Sequence, residues 1–115
     1  MTTIASLTDR ILAFRDERDW LQFHTPKDMA AAIAIEAAEL QELFLWKSEL
    51  EQKQVVRTKH EHLGEELADI AVYLFELTHN LGYDLGQLIE EKLAKNAIKY
   101  PVSRSKGSSK KYDEL

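Results

Sequence analysis

Apolar positions recur along this chain at three- and four-residue intervals, and no segment alternates apolar with polar as a half-buried strand would. Only two prolines and four glycines interrupt it, so the predicted fold class is all-α. Leu7, Ile11 and Phe14 form one stripe and predict a first helix from Ser6 to Asp19. Thr25-Pro26-Lys27-Asp28 reads as a helix start. Threonine serves as N-cap, proline takes the first helical position, and aspartate complements the positive end of the helix dipole. The second helix is predicted to run from Pro26 to Trp46, and a polar connection over Ser48–Gln54 has room for one helical turn. A third helix is predicted over Val55–Asn80. Leu81-Gly82-Tyr83-Asp84 then resets the chain, and Asp84 caps a fourth helix that reaches Lys99 and is ended by Pro101. Ser103–Lys111, rich in Ser, Lys and Gly, reads as a mobile segment. The expected organisation is one domain over 1–102 and a flexible basic tail over 103–115.

Within this pattern some charged residues stand on apolar faces. Glu36 and Glu39, three apart, are neighbours on the second helix. At roughly 100° per residue, Leu40 and Leu43 lie within roughly 40° of Glu36 and Ile33 within roughly 60°, whereas Gln41 and Glu42 point elsewhere. The third helix repeats the arrangement: Glu66 and Asp69 are three apart, and Leu63, Ile70, Tyr73 and Leu77 surround them. One such pair alone is ordinarily a solvated stripe. Two pairs, both among aliphatics, would place four carboxylates in poorly solvated surroundings, which costs many kcal/mol or forces them to hold protons. A bound divalent cation resolves the conflict. With hard oxygen donors and no Cys or His in the set, Mg²⁺ is favoured, with Mn²⁺ as a substitute, over zinc.

Other chemistries are poorly supported. His60-Glu61-His62-Leu63-Gly64 has glycine where a zincin motif requires its second histidine. Only Glu76–His79 fits the Glu-x-x-His spacing that a di-iron bundle needs twice. His60, His62 and His79 therefore read as surface or helix-end residues. There is no P-loop. Without cysteine, a disulfide framework, a zinc-thiolate site and a thiol nucleophile are excluded.

Composition, with 44% hydrophobic and 30% charged residues over 115 positions, fits a small globular protein. The N-terminus lacks a signal-peptide pattern and no apolar run approaches ~18 residues, so a cytoplasmic, membrane-free protein is expected. The formal net charge of −5 is unevenly spread. Residues 1–91 carry 18 acidic and 8 basic side chains, whereas Lys92–Lys111 holds seven Lys or Arg and no acid. That cationic segment is either a solvated tail or a surface that meets phosphate beside an acidic body. Net acidity without a broad basic face argues against a nucleic-acid partner.

The paired acids stand in recognisable company. Glu36-Ala-Ala-Glu39 and Glu66-Leu-Ala-Asp69, with ELQELFLW at 39–46, EELADIAVYL at 65–74 and KNAIKYP at 95–101, resemble the all-α nucleoside triphosphate pyrophosphohydrolases, the MazG-like group. RDWLQFHTP at 18–26 is similar to the lead-in of its dCTP pyrophosphatase branch. The likeness covers nearly the whole chain. It implies a four-helix bundle of the all-α NTP pyrophosphohydrolase type assembled as a homo-oligomer, a tetramer built as a dimer of dimers. The Ala-rich stretch Met29–Ala34 is too apolar for exposure on a monomer and fits this. By the resemblance, Glu36, Glu39, Glu66 and Asp69 are Mg²⁺ ligands in an enzyme that cleaves a nucleoside triphosphate, dCTP or a related dNTP, to the monophosphate and pyrophosphate. The expected role is cleansing of the nucleotide pool. Trp46 and Tyr73 match positions that line the nucleotide pocket, and Trp20, Phe23 and His24 match the aromatic lead-in associated with base and sugar recognition. Lys92, Lys95, Asn96 and Lys99 share a helical face that addresses phosphate and sugar, and Tyr100 closes the motif. Glu39 is the favoured base, with Lys95 and Lys99 supporting the leaving pyrophosphate. Core or interface packing remains the alternative for the aromatics, support of a helix entry for His24, and a solvated face for the lysines. For the whole chain, the alternative is a non-catalytic helical oligomer acting as an interaction or antitoxin-like module.

Overall fold

The computed structural model describes Met1–Leu115 as helices joined by short turns, with no strand. The elements are α1 (Ile4–Glu17), a 3-10 turn (Leu21–Phe23), α2 (Pro26–Glu42), α3 (Glu49–Thr58), α4 (His60–Asn80), α5 (Leu85–Lys99), the short α6 (Val102–Ser105) and a last 3-10 turn (Tyr112–Glu114). No helix is long and apolar enough to cross a membrane. The chain divides into two compact units, Met1–Gly82 and Tyr83–Leu115.

In the first unit, helix starts follow side chains that satisfy otherwise unpaired amides. The Thr3 hydroxyl accepts from the Ser6 amide at 3.0 Å, and the Ser6 hydroxyl accepts from the Thr3 amide at 2.8 Å. This reciprocal pair starts α1 two residues before the expected Ser6. Thr25 caps α2 as expected, accepting from the Asp28 amide at 3.2 Å, with Pro26 in the first turn.

Helix α1 ends at Glu17 rather than Asp19, where φ turns to +54°, and later boundaries differ more. The second helix stops at Glu42 rather than Trp46. Residues 43–45 tighten, their amides reaching the carbonyls three residues back. Trp46 then takes φ +62°, a left-handed conformation through which no right-handed helix continues. The single third helix is instead two. Ser48 and Glu51 form a capping box, with the Ser48 hydroxyl accepting from the Glu51 amide and a Glu51 carboxylate oxygen accepting from the Ser48 amide. This starts α3 at Glu49. Lys59, at φ −113° and ψ 31°, departs from helical geometry and separates α3 from α4.

Helix α4 is the spine of this unit: α2 packs on it most extensively, and α1 and α3 also rest against it. Met29 (2% exposed), Leu43 and Val55 are the buried apolar side chains, and Met29 alone is fully buried. The same helices leave Ile35, Leu67, Val72 and Leu74 exposed. In the second unit, Asp84 caps α5 by accepting from the Gln87 amide at 3.1 Å, and α5 ends at Lys99, before Pro101. The Tyr112 ring sits edge-on to Tyr100 with centroids 6.1 Å apart, and the Lys99 ammonium lies 4.9 Å from the Tyr112 centroid.

Candidate metal centre and adjoining pocket

The packing of α2 on α4 brings the two acidic pairs together. One carboxylate oxygen from each of Glu36, Glu39 and Glu66 falls within 4.8 Å of the other two. Glu66 is buried at 7% exposure, Glu36 is half-buried, and Glu39 and Asp69 are exposed. His62 is exposed at the surface as expected, and its Nε2 lies 3.0 Å from Glu66 Oε1, so it also borders the cluster. Oε2 of Glu36 and Oε2 of Glu66 are both buried without a hydrogen-bond partner. Buried acceptors of this kind are costly unless a proton or a cation meets them.

The electrostatics agree. Burial, then hydrogen bonding to Glu66 and Glu39, then the charges of Glu39 and Asp69 push the Glu36 carboxyl up to about 7. Such a group gives up its proton when a cation offers a better counter-charge. Asp69 lies outside the three-residue group but is close enough for its charge to be felt at Glu36 and at Tyr73. The Tyr73 phenol is raised by burial and then by the charges of Glu36 and Asp69. The residues present therefore fit a hard divalent cation: oxygen donors only, two of them buried and unpartnered.

Asp69 and Tyr73 also border a cavity of about 660 Å³ between α1, the segment Trp20–His24 and α4. Leu7, Ile11, Phe14, Val72 and Phe75 make most of its wall apolar. Trp20 stands edge-on to Phe14 at 5.9 Å, with the Arg18 guanidinium 3.6 Å from the Phe14 centroid on the helix before it. Of the expected base- and sugar-binding residues, Trp20, His24 and Tyr73 line this cavity. Phe23 and Trp46 do not line it and are 63% and 91% exposed. Lys92, Lys95, Asn96 and Lys99 lie on α5, with Tyr100 at its C-cap, in the second unit.

One part of the wall escapes the sequence reading. Glu76, 2% exposed, holds His24 Nδ1 at 2.8 Å and accepts from the Asn80 amide at 3.0 Å. Arg15, 7% exposed, donates to Asn80 Oδ1 at 3.0 Å and lies 3.5 Å from Glu76. Hydrogen bonding to Asp16 and then the charge of Glu76 outweigh burial and raise the Arg15 guanidinium. A signal was available: Glu66, Asp69, Tyr73 and Glu76 follow one another at helical spacing, and Arg15 continues the Leu7–Ile11 stripe.

A family model described as the MazG-like family matches residues 31–115. The chain is 41% identical over 104 residues to dCTP pyrophosphatase 1 of Mus musculus, covering 89% of this chain and 61% of the relative. It is 38% identical over 104 residues to dCTP pyrophosphatase 1 of Homo sapiens, with the same coverages. The chain thus spans about three-fifths of the length of the curated relatives it matches. Among solved structures it resembles a pyrophosphatase from Archaeoglobus fulgidus at a TM-score of 0.82 and 37% identity, covering 88% of this chain and 94% of that one.

Proposed function

The chain belongs to the MazG-like family, and on that premise we propose that it is a Mg²⁺-dependent nucleoside triphosphate pyrophosphohydrolase. Its preferred substrate is dCTP or a related deoxynucleotide, cleaved between the α and β phosphates to the monophosphate and pyrophosphate. The dCTP pyrophosphatases among its relatives support the substrate class. The observation that carries the reading is the pair of buried, unpartnered oxygens on Glu36 and Glu66, clustered with Glu39.

Glu36, Glu39, Glu66 and Asp69 would hold the cation, Mg²⁺ or Mn²⁺ in its place. When bound, it supplies positive charge against the triphosphate oxygens. Glu39, the exposed member of the cluster, orients a water and takes its proton as that oxygen bonds to the α-phosphorus. The bridging oxygen then leaves with the β-phosphate. Lys95 and Lys99 stabilise the departing pyrophosphate. Trp20, His24 and Tyr73 receive the base in the apolar cavity. Trp46 also stacks on the base, Phe23 supports base and sugar recognition, Lys92 and Asn96 address phosphate and sugar, and Tyr100 closes the motif.

The proposal extends to assembly and setting: a catalytic domain over 1–102, a basic tail over 103–115, and a four-helix bundle completed in a homo-oligomer, a dimer of dimers. The exposed Ile35 on α2, and Leu67 and Leu74 on one side of α4, support a covered apolar face. The work is cytoplasmic removal of unwanted nucleotides, with no nucleic-acid or membrane partner. Purified protein given dCTP and Mg²⁺ should release dCMP and pyrophosphate. Release of dCDP and orthophosphate, or no turnover across a panel of deoxy- and ribonucleotides, would refute the reading.

A further inference from the structure

His24 borders the cavity with one ring nitrogen committed and the other free. Nδ1 lies 2.8 and 2.9 Å from the two Glu76 oxygens. Nε2 has no partner in the chain and is not among the buried polar atoms that lack one, so it is accessible, on a residue that lines the cavity. Which nitrogen carries the proton follows from the surrounding network. Arg15 can only donate, so the Asn80 oxygen must face it, as it does at 3.0 Å. The Asn80 amide nitrogen is thereby turned toward Glu76 and donates to Oε2 at 3.0 Å. Glu76, with the Arg15 guanidinium as its counter-charge, is an acceptor on every side. An unprotonated Nδ1 would set lone pair against lone pair at 2.8 Å, so the proton must sit on Nδ1.

We propose that Glu76 is a positioning residue that locks His24 in the Nδ1–H tautomer and makes Nε2 a fixed hydrogen-bond acceptor on the pocket wall. The inference rests on the reading that a nucleotide base enters this cavity. A base edge seated against Nε2 must then offer a donor. The exocyclic amine of cytosine does so, whereas the carbonyl that uracil carries at the same position opposes one acceptor with another. Because the two bases are nearly the same size, the apolar part of the wall cannot tell them apart, whereas a base seated with its 4-position on Nε2 is read by this contact. Arg15 and Asn80 act one step further back, by holding the carboxylate of Glu76 in place.

Two measurements on the full chain test this, and neither requires turnover. In ¹⁵N-histidine-labelled protein at neutral pH, long-range proton–nitrogen correlations should show one histidine with a protonated Nδ1 and a pyridine-type Nε2. That signal should vanish in His24→Asn. Calorimetry with dCMP and dUMP should give a preference of about tenfold or more for dCMP, as expected for one lost hydrogen bond that leaves an unpaired acceptor. Glu76→Gln presents an amide that can donate as well as accept, so it should mix the tautomers and bring the two affinities within about threefold. An Nε2–H or doubly protonated His24 overturns the proposal, and that result needs no variant to fold. So does equal binding of the two monophosphates by the wild type, or an unchanged preference in a helical Glu76→Gln. Failure to hydrolyse dCTP would count against the functional reading alone, since the tautomer and the binding preference are read independently of it.

Discussion

Raising the pH of the metal-free protein from about 5 to about 8 strips the proton that lets Glu36, Glu39 and Glu66 lie together. The Glu36 carboxyl is raised from the ordinary 4.5 to about 7, so the folded protein holds this proton more tightly than the unfolded chain does. At about 1.36 kcal/mol per tenfold change, the difference amounts to at most about 3 kcal/mol. The sign follows from the direction. The contribution is fully present below about pH 4.5, declines as pH rises through the interval to about 7, and is gone above it. For a domain of this size, the loss corresponds to a fall of up to about 12 °C in melting temperature. Glu36→Gln keeps the hydrogen-bonding side chain but cannot titrate, so the difference between the wild-type and variant melting curves isolates this group from the other acids. Millimolar Mg²⁺ should oppose the decline, because a cation takes the place of the proton, and its stabilising effect should grow as pH rises through about 7. Thermal melts followed by circular dichroism across this range supply the test. If the variant keeps the wild-type pH slope, or Mg²⁺ stabilises the two proteins equally at all pH values, the account of the cluster is wrong.

Three further outcomes are expected. Glu39→Gln and Asp69→Asn should each lower kcat for dCTP by about a hundredfold or more while the far-ultraviolet dichroism stays helical, since both side chains are exposed and carry little of the core. Met29→Ala empties a site that is 2% exposed and should cost about 2–5 kcal/mol in urea denaturation. Ser48→Ala removes one half of the capping box that starts α3 and should cost about 1 kcal/mol in the same measurement.

The helical content and several helix ends were legible because their signals are local. Thr25 with Pro26, and Asp84 before α5, declare themselves within four residues. The acidic pairs were legible for the same reason, since three-residue spacing on a helix fixes what shares a side, but the expected poor solvation of all four was not met. Glu66 is buried and Glu36 half-buried, whereas Glu39 and Asp69 are exposed because their side chains lie at the edge of the contact between helices. The Ser48–Glu51 capping box was equally local and pointed to a helix where a polar connection was expected. The break at Lys59 was not legible, since neither glycine nor proline announces it. The hidden network has a different cause. Glu76 meets His24 across 52 positions and Arg15 meets Asn80 across 65, and no local rule reports which distant partner will satisfy a buried charge. Helical spacing could have placed Glu76 on the same face as Tyr73, but not beside an imidazole.

Trp46 closes the turn after α2 at φ +62° and is 91% exposed. A bulky residue in that conformation costs on the order of 1 kcal/mol or more, which glycine would not incur. Folding and ligand capture therefore pull this position in opposite directions. A directed-evolution campaign rewarding only survival at high temperature would be expected to install glycine at 46, yielding a sturdier protein stripped of an indole it could have offered to a nucleobase.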